Sequence, residues 1–165
     1  MKDGRATHPP YVAVVGGSQA SAAEERAAAH IGRGLAEKGA IVICGGRTGV
    51  MEAVARAARA AGGVVVGLLP GRSRLEGNPY LTVALPTGLG EARNALVVLA
   101  ADVVVAIGGG YGTLSEVALA RKMGKPVLVV EGSGLARRLA DWANDLAVVS
   151  PEEAVEAALR LARRS

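Results

Sequence analysis

The chain has 165 residues, half of them hydrophobic and only 2% aromatic, which fits a single domain with a core of aliphatic side chains. The net charge of +4 is not accompanied by clustered aromatic residues or a basic recognition element, so we expect no nucleic-acid partner. One cysteine excludes an intrachain disulfide, no secretory signal is apparent, and no apolar run is long enough to span a membrane, so we expect a cytoplasmic protein without a membrane partner.

Residues 1–10 are predicted to form a flexible N-terminal arm, and residues 11–165 a single nucleotide-binding domain in which short β-branched runs alternate with helical patterns. Strands are predicted over 11–15, 41–44, 64–69, 81–84, 103–107, 127–130 and 147–149. Helices are predicted from the capping box of Ser21 and Glu24 to Gly39, over 49–61, 91–101, 112–122 and 135–142, and from Ser150 onward. This alternation predicts a Rossmann-like three-layer α/β domain, with a parallel sheet of about six or seven strands and helices on both faces. Ligands of such sheets bind at the carboxyl ends of the strands, where strand order reverses.

The strongest functional signal is the glycine-rich segment that follows the strand at 103–107 and leads into a helix. Glycines let backbone N–H groups approach an anion, and a helix start adds free donors and a positive dipole end. One or two glycines would serve a tight turn, whereas four around one turn favour an anion site. The segment matches neither the P-loop nor the dinucleotide fingerprint. The expected phosphate contacts are Gly109, Gly110, Tyr111, Gly112 and Thr113.

Glu116 has two interpretations from spacing alone. Thr113 and Glu116 are spaced as in a capping box, which favours a cap on their own helix. The alternative places the carboxylate beside a bound phosphorylated sugar, where it stabilises cationic character or positions water.

Two further glycine loops follow strands. In the loop after 41–44 we expect Gly46 and Thr48 near the ligand, with Thr48 also a natural N-cap; Arg47 either contacts a phosphate or carboxylate or is a solvated surface residue. After 11–15 we expect Gly17 and Ser18, whose hydroxyl either donates to a ribose or phosphate oxygen or caps the turn.

A fourth loop, at 86–94, ends on Arg93 and Asn94, both expected to contact the ligand. Arg93 falls in the first turn of a helix, where the dipole disfavours a cation, so either an anionic ligand or a surface ion pair must compensate. Cys44 is expected to be a small buried hydrophobe, because no histidine partner is evident. His8 and His30 belong to no metal-ligand set, and no metal is expected.

The segments 45–51 and 108–116, with Arg93 between them, resemble the LOG (lonely guy) and lysine decarboxylase-like superfamily, whose motif is Pro-Gly-Gly-x-Gly-Thr-x-x-Glu. The resemblance implies that Gly109, Gly110, Gly112 and Thr113 hold a phosphate. It implies that Arg93 and Glu116 act in cleavage of a nucleoside 5′-monophosphate, such as a cytokinin riboside phosphate, into free base and ribose 5-phosphate. It also implies a homodimer or higher homo-oligomer. No lysine decarboxylase activity is expected, since no pyridoxal-binding lysine context is present.

Two departures from the motif resemble instead a branch that carries the molybdenum cofactor. The motif proline is Gly108 here, and the family's Arg-Lys pair is Arg93-Asn94. We therefore carry two hypotheses, a phosphoribohydrolase first and a non-catalytic carrier of molybdenum cofactor or another phosphorylated ligand as the alternative. Neither requires a resident cofactor; the expected occupant is a nucleoside monophosphate or the molybdenum cofactor.

Overall fold

The structure is a computed structural model that describes residues 8–132, 134, 138–139, 143 and 145–163. Within these residues, seven strands form one all-parallel sheet in the order β4-β3-β2-β1-β5-β6-β7. The strands are β1 (Tyr11–Gly16), β2 (Ile41–Cys44), β3 (Val64–Leu69), β4 (Val83–Pro86), β5 (Val103–Ile107), β6 (Val127–Val130) and β7 (Ala147–Val149).

Five helices cover the two faces of the sheet, which confirms the predicted three-layer α/β domain within the described residues. They are α1 (Ala22–Glu37), α2 (Val50–Ala60), α3 (Asn94–Leu99), α4 (Tyr111–Lys122) and α5 (Pro151–Ala162), with 3₁₀ turns at Arg74–Glu76 and Gly90–Arg93. Helices α1, α2 and α5 pack on one face, and α3 and α4 on the other. Alternate strand residues supply the two cores: Val12 and Val14 point to the first, Ala13 and Val15 to the second.

Local chemistry explains both ends of α1 and the start of α5. Ser21 and Glu24 form the predicted capping box of α1, and Ser150 with Glu153 forms the same box on α5. Gly39 follows α1 with a φ of +74°, a left-handed conformation that glycine adopts without steric penalty.

Two boundaries differ from the sequence-based prediction. Strand β4 begins at Val83 rather than at residue 81. Just before it, the Thr82 hydroxyl accepts the Val65 N–H at 2.9 Å in place of a backbone carbonyl. The helix predicted over 91–101 is a 3₁₀ turn followed by the short α3. The helix predicted over 135–142 lies, apart from residues 138–139, outside the described residues, as do residues 1–7 of the predicted arm.

The order of the strands determines where the ligand-binding crevice of the sheet lies. Chain order runs outward from β1 to β4 on one side and from β5 to β7 on the other, so direction reverses between β1 and β5. The loops that follow Gly16 and Ile107 therefore leave the same edge side by side, where ligands of parallel sheets bind. No helix among the described residues is long and apolar enough to cross a membrane.

Candidate functional site

A cleft of about 780 Å³ opens at the carboxyl ends of β1, β2, β3 and β5. This volume is in the range of small-molecule sites. The lining includes most of the predicted ligand contacts: Gly17, Ser18, Arg47, Thr48, Arg93, Asn94, Gly109, Gly110, Gly112, Thr113 and Glu116. The four loops singled out from sequence thus converge on one cavity.

The N-terminus of α4, at residues 110–113, opens into this cleft. We call it the anion pole, because the free N–H groups and the dipole of a helix start favour a negative charge. The helix begins at Tyr111, its N-cap is Gly110, and no side chain caps it. Nothing lies within 4 Å of the position that a Cβ would occupy at Gly110 or Gly112. The first N–H groups of a helix lack intrahelical partners, so these two glycines leave the donors and the dipole accessible from the cleft.

The capping interpretation of Glu116 is wrong. Because α4 begins two residues before Thr113, both Thr113 and Glu116 lie inside the helix, and no capping box forms. Thr113 is buried, and Glu116 is only 6% exposed at the base of the cleft. Glu116 is therefore free for a role in the cavity.

Arg93 and Glu116 are both buried at the base of the cleft. Arg93 is 7% exposed, and its Nε has no hydrogen-bond partner. Burial raises the pKa of Glu116 from 4.5 to about 7, while Arg93 lowers it in part and Glu91 adds to the rise. Direct ion pairs among the described residues join other groups, Lys38 to Glu156 and Arg121 to Asp145. Arg93 thus acts on Glu116 through space and keeps hydrogen-bonding capacity for a ligand.

Asn94 supports the start of α4 from the neighbouring helix. Its Nδ2 donates to Ser115 Oγ at 3.1 Å, and Ser115 Oγ donates to the Gly112 carbonyl at 2.7 Å. Asn94 is buried and also lines the cleft. Its amide therefore connects α3 to the anion pole.

The start of α2 is hydrogen-bonded to the loop that follows β1. Val50 N–H donates to the Gly17 carbonyl at 3.0 Å, and the Thr48 hydroxyl donates to the Ser18 carbonyl at 2.9 Å. The prediction that Thr48 caps α2 is wrong, because the N-cap is Gly49 and carries no side-chain bond. These contacts tie the loop after β2 to the loop after β1 and hold that wall of the cleft in place.

Two predicted contacts are not part of the cleft lining. Gly46 is buried and packs against Leu69, Gly67 and Leu81, on the side away from the cavity. Tyr111 is 90% exposed and points to the surface. Cys44 is fully buried, and burial raises the pKa of its thiol to about 11, so it is the inert hydrophobe that the sequence indicated.

Comparison with known proteins identifies the family. The family model described as the SLOG cluster4 family matches residues 9–159. The chain belongs to the SLOG cluster4 family. This result confirms the resemblance to the LOG superfamily that the glycine motifs indicated.

Several relatives of this SLOG domain are informative. A molybdenum cofactor binding protein from Rippkaea orientalis is 38% identical with a TM-score of 0.86, and the match covers 92% of this chain and 96% of that one. The molybdenum cofactor carrier protein of Chlamydomonas reinhardtii is 32% identical with a TM-score of 0.83, covering 93% and 98%. An uncharacterized protein of Archaeoglobus fulgidus is 40% identical over 127 residues, which cover 73% of this chain and 83% of that protein. The cytokinin riboside 5′-monophosphate phosphoribohydrolase LOG of Oryza sativa subsp. japonica is 35% identical over 99 residues, 58% of this chain and 40% of that enzyme.

The SLOG cleft also contains residues that sequence reasoning missed. Gly45, Met51, Pro70 and Glu91 line it, and so does Glu24, which the sequence presented only as a helix cap. Glycine density singled out the loop at Gly45 but gave no reason to choose Gly45 over Gly46. In the part of the chain that the structure describes, no group of three or more His, Cys, Asp or Glu side chains is placed to hold a metal ion.

Proposed function

We propose that this protein binds a phosphorylated pterin-like or nucleotide-like small molecule in the cleft and serves as a carrier of the molybdenum cofactor. The observation that carries the proposal is the uncapped start of α4, open through Gly110 and Gly112, in the same cavity as a buried Arg93 whose Nε has no partner. A buried N–H group without a partner is costly unless a ligand supplies the acceptor. Both features favour an anionic occupant.

The conformation of the glycine loop (residues 108–113) favours a carrier over a hydrolase. Gly108 has a φ of +56°, whereas a proline, the residue of the hydrolase motif, is fixed near −65°. A Cβ at Gly108 would also overlap the Glu24 carboxylate. The loop here therefore cannot follow the backbone path of a Pro-Gly-Gly motif. The two cofactor-binding proteins, which match nearly the whole chain at 38% and 32% identity, support the same choice.

The residues present fit such a ligand by their chemistry. Backbone N–H groups at 110–113 would hold a phosphate, and Arg93 would donate to a second acceptor deeper in the cleft. The Glu116 carboxyl, with a pKa of about 7, can accept or donate a hydrogen bond to a heterocycle. The protein would bind, orient and shield this cargo.

Copurification tests the carrier proposal. The protein is purified from a host that makes molybdenum cofactor, and the bound pterin is oxidised and measured by fluorescence. We expect a pterin signal from the wild type and a strongly reduced signal from Arg93→Gln. Arg121→Gln, which removes an exposed arginine paired with Asp145, is the matched control and should keep the signal. Absence of pterin from the wild type, with tight binding of nucleoside monophosphates instead, would overturn the carrier assignment.

The second candidate is a nucleoside 5′-monophosphate phosphoribohydrolase. Arg93 and Glu116 lie buried together beside the anion pole, as a glycosidic step would need, and the rice LOG enzyme is 35% identical over 99 residues. An ionised Glu116 would stabilise an oxocarbenium-like ribose, so activity should rise as pH increases through about 7.

Product analysis tests the hydrolase. Purified protein is incubated with adenosine, cytidine and guanosine 5′-monophosphates, and free base is measured by chromatography. A hydrolase should release base, and Glu116→Gln should reduce the rate by roughly a hundredfold or more while monophosphate binding is retained. Binding without release of base rejects the enzyme. Equal rates for wild type and variant would remove Glu116 from the chemistry.

A further inference from the structure

Glu24 places a fixed negative charge in a cleft that is otherwise suited to an anion. It lies in the first turn of α1 and lines the cavity. One carboxylate oxygen, Oε2, accepts the Ser21 N–H at 2.9 Å, and the Glu24 N–H donates to Ser21 Oγ at 3.2 Å. This reciprocal pair holds the side chain in one orientation.

The same carboxylate lies against the glycine loop. A Cβ at Gly108 would overlap Glu24 Oε1, so the backbone of the loop passes directly over the carboxylate. Gly108 and Gly109 both have positive φ angles there, +56° and +100°, and lead straight into the open start of α4. No described cation forms an ion pair with Glu24. Its negative charge interacts with the N–H groups at the start of α1 and lies beside the anion pole.

A capping box does not need to lie in a ligand cleft. The box of Ser150 and Glu153 on α5 has the same hydrogen bonds, yet Glu153 is exposed and does not line the cleft. The box itself therefore requires neither the cleft nor a contact with the loop. Beside a bound phosphate, the charge of Glu24 opposes each further negative charge that the ligand brings, in a partly buried site where charges are weakly screened.

We propose that Glu24 limits the negative charge that a ligand can place at the glycine loop, so that the cleft accepts a single phosphate monoester and excludes nucleoside di- and triphosphates. This inference rests on the proposed phosphate-binding function. Volume alone does not impose such a limit, since about 780 Å³ is ample for a longer phosphate chain. Exclusion by charge would keep the cleft available to its cargo in the presence of abundant nucleoside triphosphates.

Calorimetric titration of the full chain with three adenosine esters tests the inference. The three esters are adenosine 5′-monophosphate, the 5′-diphosphate and the 5′-sulfate. The sulfate has nearly the shape of the monophosphate but carries a single negative charge, so the set separates the effect of charge from that of shape. In the wild type we expect the monophosphate to bind more tightly than the diphosphate. In Glu24→Gln, which keeps the capping hydrogen bond, affinity for the diphosphate should rise on the order of tenfold relative to the monophosphate. Affinity for the monophosphate should likewise rise relative to the sulfate.

Glu153→Gln is the matched control, because it alters the same kind of capping box outside the cleft. It should leave all three affinities in the wild-type ratio. Unchanged ratios in Glu24→Gln, with binding retained, would overturn the inference while the proposed function stands. If the wild type binds none of the three esters and no pterin, both the inference and the proposed function are overturned.

Discussion

The guanidinium of Arg93 lies directly against the α-carbon of Gly45, so closely that a Cβ at position 45 would overlap Arg93 Nη1 and lie 2.6 Å from the Met51 sulfur. Gly45 is not among the glycines with a positive φ, so a left-handed backbone is not the reason for glycine here. The glycine is therefore required by the side chain that lies over it. Position 45 fixes where the buried cation of the cleft can lie.

Gly45→Ala should displace Arg93 and weaken ligand binding. We expect at least a tenfold loss of affinity for adenosine 5′-monophosphate, with a stability loss of about 1–3 kcal/mol from overpacking. Calorimetric titration and chemical denaturation measure the two effects. Wild-type affinity in a folded Gly45→Ala protein would show that Arg93 is not part of the binding site.

Gly112→Ala should separate stability from binding. Gly112 lies in the first turn of α4 with open space around it, so alanine fits and favours the helix by up to about 1 kcal/mol. The new methyl group would occupy the approach of an anion to the helix start. We expect an unchanged or higher melting temperature together with weaker phosphate binding. A variant that binds as well as the wild type would place the anion elsewhere.

Gly108→Ala tests the contact between the glycine loop and Glu24. Gly62→Ala is the matched control, because Gly62 also has a positive φ, +78°, but has nothing within 4 Å of its Cβ position. Both variants should lose about 1–2 kcal/mol for a left-handed alanine. Gly108→Ala should lose more, and should also weaken phosphate binding, because the loop must move off the carboxylate. Equal destabilisation, measured by urea denaturation, would contradict this contact.

Stability should depend on pH through Glu116. Its pKa rises from 4.5 to about 7 on folding, so the folded chain binds more protons between these values and its stability falls as pH increases across that window. The change should be at most about 3 kcal/mol and should level off above pH 7. Glu116→Gln should flatten this part of the profile, measured by urea denaturation from pH 4.5 to 8.

Glu153 is a control, because the pKa of its carboxyl is lowered whereas that of Glu116 is raised. Hydrogen bonds from Ser150 lower the pKa of Glu153, so its contribution is present above the ordinary carboxyl pKa and is lost as pH falls through the lowered value. Glu153→Gln should therefore leave the slope between pH 4.5 and 7 in place. If Glu116→Gln also leaves that slope unchanged, burial does not shift Glu116.

A homodimer is expected through the layer formed by α3 and α4. Leu99 at the end of α3 is 60% exposed, and Met123 just after α4 is also exposed, which leaves apolar surface on this face. Light scattering should give the mass of two chains. Leu99→Glu should shift the mass toward one chain without loss of helical circular dichroism. Leu75→Glu, at an exposed position on the loop before β4, is the control, and a monomeric wild type at micromolar concentration would reject the dimer.

The sequence by itself determined the α/β architecture, the capping boxes of α1 and α5, and the presence of glycine loops at strand ends. These features depend on neighbours a few residues apart, as with Ser21 and Glu24 or the left-handed Gly39. The sequence also predicted Arg93 and the glycines at the start of α4 as ligand contacts, because positive charge and glycine density indicate an anion site.

Only the tertiary structure decided which of these groups face the cleft. The start of α2 is occupied by the Gly17 carbonyl, 33 residues before Val50, whereas the start of α4 is open. Gly45 meets Arg93 while Gly46 packs on Leu69, and Glu24 reaches the glycine loop more than 80 residues away. Such contacts join residues that are distant in the chain, so spacing carries no signal for them. They exist because strand order brings the loops after β1, β2 and β5 to one edge of the sheet.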